Sequence, residues 1–342
     1  MPAARQGGGG GEVGEVALRL ARRRVSHLLV AVLLAVAACD EAPQPSAGAD
    51  RGPPEPARPE VGLVMKTLTN PFFAEMERGA RRAAAALGVD LVARNAAQET
   101  SIEQQIAIVD GLVAAGVDAI VIAPSDSSRL IPVLKKAADR GVVVINVDNA
   151  LDPALARSFG LAEIPFVSVD NEAGAFKSAG ALVAARPEGG DALIIEGIRG
   201  AENAEARRRG ALRAFDAAGN VTVVASETGN WKIDEGYAVA KQAFTARPAI
   251  KLVFAANDMM ALGAVRYLDE AGRDDVVVAG YDALAEAERA IIRGDLVATI
   301  DQQAAEQGYR GVEYAVRALN GGAVPAVTLL DTLLITRASL GQ

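Results

Sequence analysis

From Val61 onward the chain alternates two kinds of segment. Short apolar runs occur at Val61–Met65, Val89–Ala93, Ala119–Ala123, Val142–Val147, Ala192–Glu196, Val221–Ser226, Leu252–Ala255 and Val276–Tyr281. Between them lie longer, alanine-rich stretches of helical period: Pro71–Leu87, Thr100–Ala115, Arg129–Arg140, Asn171–Ala185, Asn203–Ala218, Ile233–Ala246, Met259–Ala271 and Leu284–Arg293. A strand covered on both faces reads as a continuous apolar run. Strands that alternate with helices build parallel sheets with helices on both sides. Eight such units are too many for one small sheet, and they divide near residues 165–170 into halves of similar rhythm. The remainder, 303–342, offers a helix at Ala304–Leu319 and a terminal strand at Thr328–Thr336. The sequence therefore predicts an α/β fold of two doubly wound parallel-sheet lobes.

The first sixty residues follow different rules. Arg19, Arg22, Arg23 and Arg24 precede an uncharged apolar run, Leu28–Ala38, which ends Leu34-Ala35-Val36-Ala37-Ala38-Cys39. A basic region, an apolar core and small residues before a cleavage point make a secretory signal over 1–38. The run is too short for a membrane span, which needs roughly 20 apolar residues. Cys39 is the only cysteine of the chain. As the first residue after the cleavage point it resembles the lipobox of bacterial lipoproteins, whose thiol is diacylated. The competing role, a buried free thiol packing as a small hydrophobe, fits poorly at the edge of a secretion signal. Residues 40–60 then hold Pro43, Pro45, Pro53, Pro54, Pro56 and Pro59 among small and charged residues. Such a stretch buries too little apolar surface to fold and reads as an extended spacer behind the anchor, 39–60.

Several function classes fall away. The formal charge is −8, and the signal holds five arginines against two glutamates, so the remainder is more acidic still. Nucleic acid needs Lys and Arg to replace its counterions. The single histidine, His27, lies in the signal. A mature chain without histidine, and with its one thiol acylated, has no Ser-His-Asp triad, no cysteine nucleophile and no His/Cys zinc site. Carboxylate chemistry and oxygen-ligand cation sites stay open.

In open parallel sheets ligands bind beyond the carboxyl ends of the strands, and there the chain gathers polar and aromatic residues. Asn70, Phe72 and Phe73 follow the first strand, and Asp148-Asn149 the fourth. Later loops carry Gly200–Arg207, Asn230-Trp231, Asn257-Asp258 and Asp282. Asp148, Asp282, Asn70, Asn257 and Gln302 each offer two acceptors, or an acceptor and a donor, to vicinal hydroxyls. Arg207 offers a rigid fork of donors. Flat rings at Phe72, Phe73 and Trp231 can stack on the apolar faces of a sugar. Each residue also has a plainer reading: Phe is usually core, and Asp or Asn at a strand end is commonly a helix N-cap or turn former. Trp231, the only tryptophan, falls outside any apolar period and is expected to be partly exposed beside a cleft. Of Arg207-Arg208-Arg209, one member is expected inside and the rest on a solvated helix face. The glycines at 7–11 are no phosphate loop, because no strand precedes them and no Gly-Lys-Ser/Thr follows.

These residues, in order, resemble a known family. Val64–Phe73, Val253–Ala264, Val278–Asp282 and Ala298–Gln302 match blocks of the periplasmic sugar-binding proteins of ABC importers, in the ribose-binding-protein-like branch, and the likeness spans residues 61–340. The resemblance implies two lobes joined by a three-crossing hinge, with residues 61–168 plus 303–331 in the first and 169–302 plus 332–342 in the second. It implies a monosaccharide held between Asn70, Phe72, Phe73 and Asp148 on one side and Arg207, Trp231, Asn257, Asp282 and Gln302 on the other. It implies no cofactor and no enzymatic activity, ABC permease subunits as partners, and a monomer. Asn149 stands where ribose binders carry arginine, and Trp231 where they carry phenylalanine. The block Ala201–Gly210 aligns in more than one way, so Asn203 or Glu205 can stand in for Arg207. Lys66 and Asp301 lie near matched ligand positions and are candidates for tuning the choice of sugar, which stays open among pentoses, hexoses and cyclic polyols. Asp40 after Cys39 resembles a signal that retains lipoproteins at the inner membrane. A sensory receptor for a kinase or chemoreceptor is the alternative output. A repressor would need a helix-turn-helix where the signal lies, and a glycosidase would need paired carboxylates flanking a glycosidic bond.

Overall fold

The computed structural model describes residues 58–161 and 164–341. The signal, Cys39 and most of the proline-rich stretch lie outside the described residues.

The first sheet contains β1 (Glu60–Met65), β2 (Asp90–Asn95), β3 (Ala119–Ile122), β4 (Val143–Val147) and β5 (Phe166–Val169). The second contains β6 (Gly190–Glu196), β7 (Val221–Thr228), β8 (Ile250–Ala255), β9 (Val277–Ala279) and β10 (Ala298–Asp301). Near the C-terminus β11 (Val327–Leu330) joins the first sheet beside β5, parallel to it, while β12 (Leu333–Thr336) joins the second beside β10, antiparallel. The orders are β11-β5-β4-β3-β1-β2 and β12-β10-β9-β8-β6-β7. Central strands have the composition their position demands. In β3 all four residues, Ala-Ile-Val-Ile, are fully buried, as a parallel strand covered on both faces requires.

The helices are α1 (Pro71–Leu87), α2 (Ile102–Ala115), α3 (Ile131–Ala138), α4 (Pro153–Ser158), α5 (Asn171–Ala185), α6 (Glu202–Ala218), α7 (Ile233–Ala246), α8 (Asp258–Ala271), α9 (Ala285–Arg293) and α10 (Ala304–Leu319). In the first lobe α1 packs on α10, and α2 on α3. In the second lobe α5 packs on α6, and α7 on α8. The chain passes between the lobes three times: from β5 to α5, from β10 to α10, and from β11 to β12.

One predicted strand is corrected. Thr328–Thr336 is two strands, because Asp331-Thr332 interrupts it and the chain changes sheets there. The short elements β5, β10 and α4 stand outside the runs picked out by composition. With four residues in β5 and β10, and six in α4, they carry too little pattern to stand out from their surroundings.

Candidate functional site

The carboxyl ends of both sheets face each other across the gap between the lobes, and a small cavity of about 20 Å³ lies there. Its walls are Lys66, Asn70, Phe72, Phe73, Glu99 and Asp148 from the first lobe and Asn203, Arg207, Trp231, Asn257, Asp282 and Gln302 from the second. Nine residues singled out by position at strand ends, together with Lys66, thus converge. A larger crevice of about 530 Å³ adjoins it and shares Phe72 and Asp282. That crevice lies among α1, α9 and α10, whereas the small cavity gathers buried polar groups, the mark of a recognition site.

Lys66 follows β1 and is buried; its Nζ pairs with Asp148 Oδ2 at 2.8 Å and lies 5.6 Å from the Phe73 ring centre. Asn70 has two tasks. Its Oδ1 accepts from Phe72 N at 3.1 Å and so caps α1, while its Nδ2 donates to Glu99 Oε1 at 3.0 Å. Proline at N1 starts that helix, which fixes both phenylalanines in its first turn, their rings edge to face at 5.1 Å. Asn257 repeats the device on α8: Oδ1 accepts from Met260 N at 2.9 Å, and Nδ2 donates to Trp231 O at 3.2 Å. The plainer reading of these asparagines as N-caps is thus true, and they line the cavity as well.

Arg207 is held on every side. Its Nε donates to Asn171 Oδ1 at 2.8 Å, one terminal nitrogen to Ala256 O at 2.8 Å and the other to Gln302 Oε1 at 3.1 Å. Its guanidinium lies 3.8 Å over the Tyr281 ring and 5.4 Å from Trp231. Asp282 Oδ1 accepts from Gln302 Nε2 at 2.6 Å and faces Arg207 at 3.4 Å. Burial pushes the Asp282 carboxyl well above the usual carboxylate range, against the opposing pull of Arg207. The loop that presents Asp282 is braced by Asp258, whose Oδ2 accepts from Leu284 N at 2.8 Å and Oδ1 from Thr299 Oγ1 at 2.7 Å. Burial raises the Asp258 carboxyl to about 6.

Backbone strain collects at the same place. Asp148 (φ 63°), Trp231 (φ 65°) and Asp282 (φ 124°) all line the cavity, and such conformations cost about 1–3 kcal/mol each. Trp231 lies flat over Gly197, where a Cβ would come within 2.0 Å of the indole. Among the described residues, Trp231 Nε1 and Asn203 Oδ1 are buried without a protein hydrogen-bond partner. They leave one donor and one acceptor, the pair that a hydroxyl satisfies.

Several expectations are corrected. Trp231 is 4% exposed, because its indole packs against Gly197 and lies beside the Arg207 guanidinium. Asn149 does not reach the cavity: its Nδ2 donates to Pro124 O and Ser127 Oγ, and its Oδ1 accepts from Asn203 N across the lobe interface. Asp301 turns outward to accept from Gln303 N at 2.7 Å and lines the outer crevice. Glu205 pairs with Arg208 on the exposed side of α6, while Asn203 and Arg207 both face inward, so neither replaces the other. Glu99 was missed. It is buried in the loop after β2, and burial raises its carboxyl to about 7 against the opposing pull of Lys66 and Asn70. The rule of looking beyond strand ends applied to that loop too.

Comparison with known proteins agrees with this fold. The periplasmic binding protein domain family matches residues 61–323. A D-ribose/D-allose-binding protein of Pseudomonas aeruginosa is 42% identical over 78% of this chain and 84% of its own length. The solved structure of an ABC transporter periplasmic solute-binding protein from Actinobacillus succinogenes with bound D-allose is 36% identical, covers 82% of this chain and 98% of its own, and superposes with a TM-score of 0.78. A Caulobacter myo-inositol-binding protein bound to myo-inositol is 29% identical over 84% of this chain and 96% of its own, with a TM-score of 0.77.

Proposed function

The chain belongs to the periplasmic binding protein domain family, and on that premise we propose that it is the solute receptor of an ABC sugar importer, binding one monosaccharide between its lobes. It is a binding protein and not an enzyme. The observation that carries the reading is the set of side chains that converge between the lobes. Three aromatic rings, two cations and three carboxylates converge there, and Trp231 Nε1 and Asn203 Oδ1 stand ready for hydroxyls. Phe72, Phe73 and Trp231 stack on the ring of the sugar, and Asp148, Arg207, Asp282, Asn70, Asn257 and Gln302 take its hydroxyls through charge-assisted and amide hydrogen bonds. Lys66 and Glu99 line the same cavity and help it discriminate between sugars. D-allose and D-ribose are the leading ligands, on the likeness to the Pseudomonas aeruginosa and Actinobacillus succinogenes proteins. The two lobes divide the contacts, so sugar favours the shut arrangement by its differential affinity.

The protein works in the periplasm, delivering sugar to permease subunits in the membrane. Diacylation of Cys39, with the proline-rich stretch as tether, would keep it beside them as a monomer, and Asp40 favours the inner membrane. A thermal-shift panel of D-allose, D-ribose and myo-inositol tests the proposal, since a ligand that binds only the folded state raises its melting temperature. A shift with at least one of these is expected; no shift across a wide panel of pentoses, hexoses and polyols overturns it.

A further inference from the structure

Helix α6 begins without a cap of its own. Its N-cap position is Ala201, and no side chain of the helix accepts from its first turn. Alanine is a poor N-cap, and the first four N–H groups of any helix lack partners within it. Here two of them are satisfied from the other lobe. Ser127 Oγ accepts from Glu202 N at 3.1 Å, and Asn149 Oδ1 accepts from Asn203 N at 3.1 Å. Ser127 N in turn donates to Gly200 O at 3.5 Å.

Both capping groups are set in place by their own lobe. Asn149 Nδ2 donates to Pro124 O at 3.1 Å and to Ser127 Oγ at 3.3 Å, and Asn146 Nδ2 donates to Asn149 O at 2.8 Å. Acidic groups gather at the same helix end. Asp148 Oδ1 accepts from Asn203 Nδ2 at 3.4 Å, and Asp126 Oδ2 lies 3.7 Å from where a Cβ on Gly200 would be. The positive end of a helix favours such neighbours. The helix so capped carries Asn203 and Arg207 into the cavity.

We propose that Ser127 and Asn149 are positioning residues for closure: they cap α6 across the cleft only when the lobes are shut, so the fold itself sets part of the balance between open and shut forms. The inference rests on reading the cleft as a sugar site that shuts about a hinge. An open molecule leaves the first N–H groups of α6 to water, and closing trades that water for two preset acceptors that touch no sugar.

The test uses calorimetry with D-allose and small-angle scattering of the sugar-free protein, on the wild type, Ser127→Ala and Ala201→Ser. Loss of the cap in Ser127→Ala is expected to raise the Kd for D-allose about two- to thirty-fold, the range of a lost N-cap, and to enlarge the radius of gyration. Ala201→Ser gives α6 its own cap in both forms. It is expected to raise the melting temperature of the free protein while weakening D-allose binding, opposite signs that a purely structural role does not produce. Unchanged Kd in both variants, with the wild type binding, overturns the proposal. Should the wild type ignore D-allose and every other monosaccharide, the sugar reading falls, and the cap stands or falls on scattering: equal radii for wild type and Ser127→Ala overturn it.

Discussion

Lys66, Glu99, Asp148, Arg207 and Asp282 bring two positive and three negative side chains into one buried space. Buried charges are tolerated when paired and hydrogen-bonded. Lys66 meets Asp148, and Arg207 meets Asp282, which leaves Glu99 with the Asn70 amide and a carboxyl raised to about 7. The sign follows from linkage. Below the ordinary glutamate range Glu99 is protonated folded or unfolded, and its burial carries no charge penalty. As pH rises toward about 7 the unfolded chain gives up its proton first, so stability falls across that window. A shift from 4.5 to about 7 amounts to roughly 3 kcal/mol. Asp258 and Asp282, also raised by burial, act in the same direction. The melting temperature of the sugar-free protein should therefore drop between about pH 4.5 and pH 7, and Glu99→Gln should lessen the drop; equal slopes would show that Glu99 is not its source. Trp231→Ala should weaken sugar affinity by about 1–3 kcal/mol, the worth of burying a large side chain, as calorimetry would read. Position at a strand end was enough to find Asn70, Asp148, Asn257 and Asp282 in the sequence. It could not tell that Asn149 turns its amide to the lobe interface, because that depends on a contact with Asn203 of α6, 54 residues away. Nor did it reveal the positive φ angles of Asp148, Trp231 and Asp282, since none is a glycine.

At the scale of elements, helix positions are fixed by close backbone approach. A Cβ on Gly79 would come within 1.7 Å of Ala305 O, and one on Gly308 within 2.0 Å of Met76 O. Helices α1 and α10 thus touch backbone to backbone. That crossing seats Phe72 and Phe73 near the point where the chain leaves Gln302 for the first lobe. Gly79→Ala should force the helices apart and lower stability by about 1–3 kcal/mol, the usual cost of overpacking; an unchanged denaturant midpoint would contradict so tight a crossing. Gly197→Ala should leave the fold largely intact yet displace the Trp231 indole, so its expected effect is on sugar affinity more than on melting temperature. Element type was largely legible because the strands are buried on both faces and the helices are long; Pro71–Leu87, Asn171–Ala185, Ile233–Ala246 and Ala304–Leu319 carry the bounds that periodicity assigns them. The exchange of sheets at Asp331-Thr332 was not, since β11 and β12 present one nearly continuous apolar run and only pairing partners distinguish them.

The described residues form two similar α/β lobes with three connections between them, and each lobe supplies half of the cavity wall. Such an arrangement holds a ligand fully only when shut, which links binding to a shape that a membrane partner can read. Cys39→Ser should release the protein from the membrane fraction while sparing the sugar affinity of purified protein; recovery in the membrane pellet would contradict a lipid anchor. Titration calorimetry of D-allose and D-ribose into wild type and Asp282→Ala decides whether the charged, ring-lined cavity binds a monosaccharide. Saturable one-to-one binding of at least one of them by the wild type is expected, and none by a folded Asp282→Ala, which loses the acceptor shared by Arg207 and Gln302. Equal binding by both proteins would contradict it.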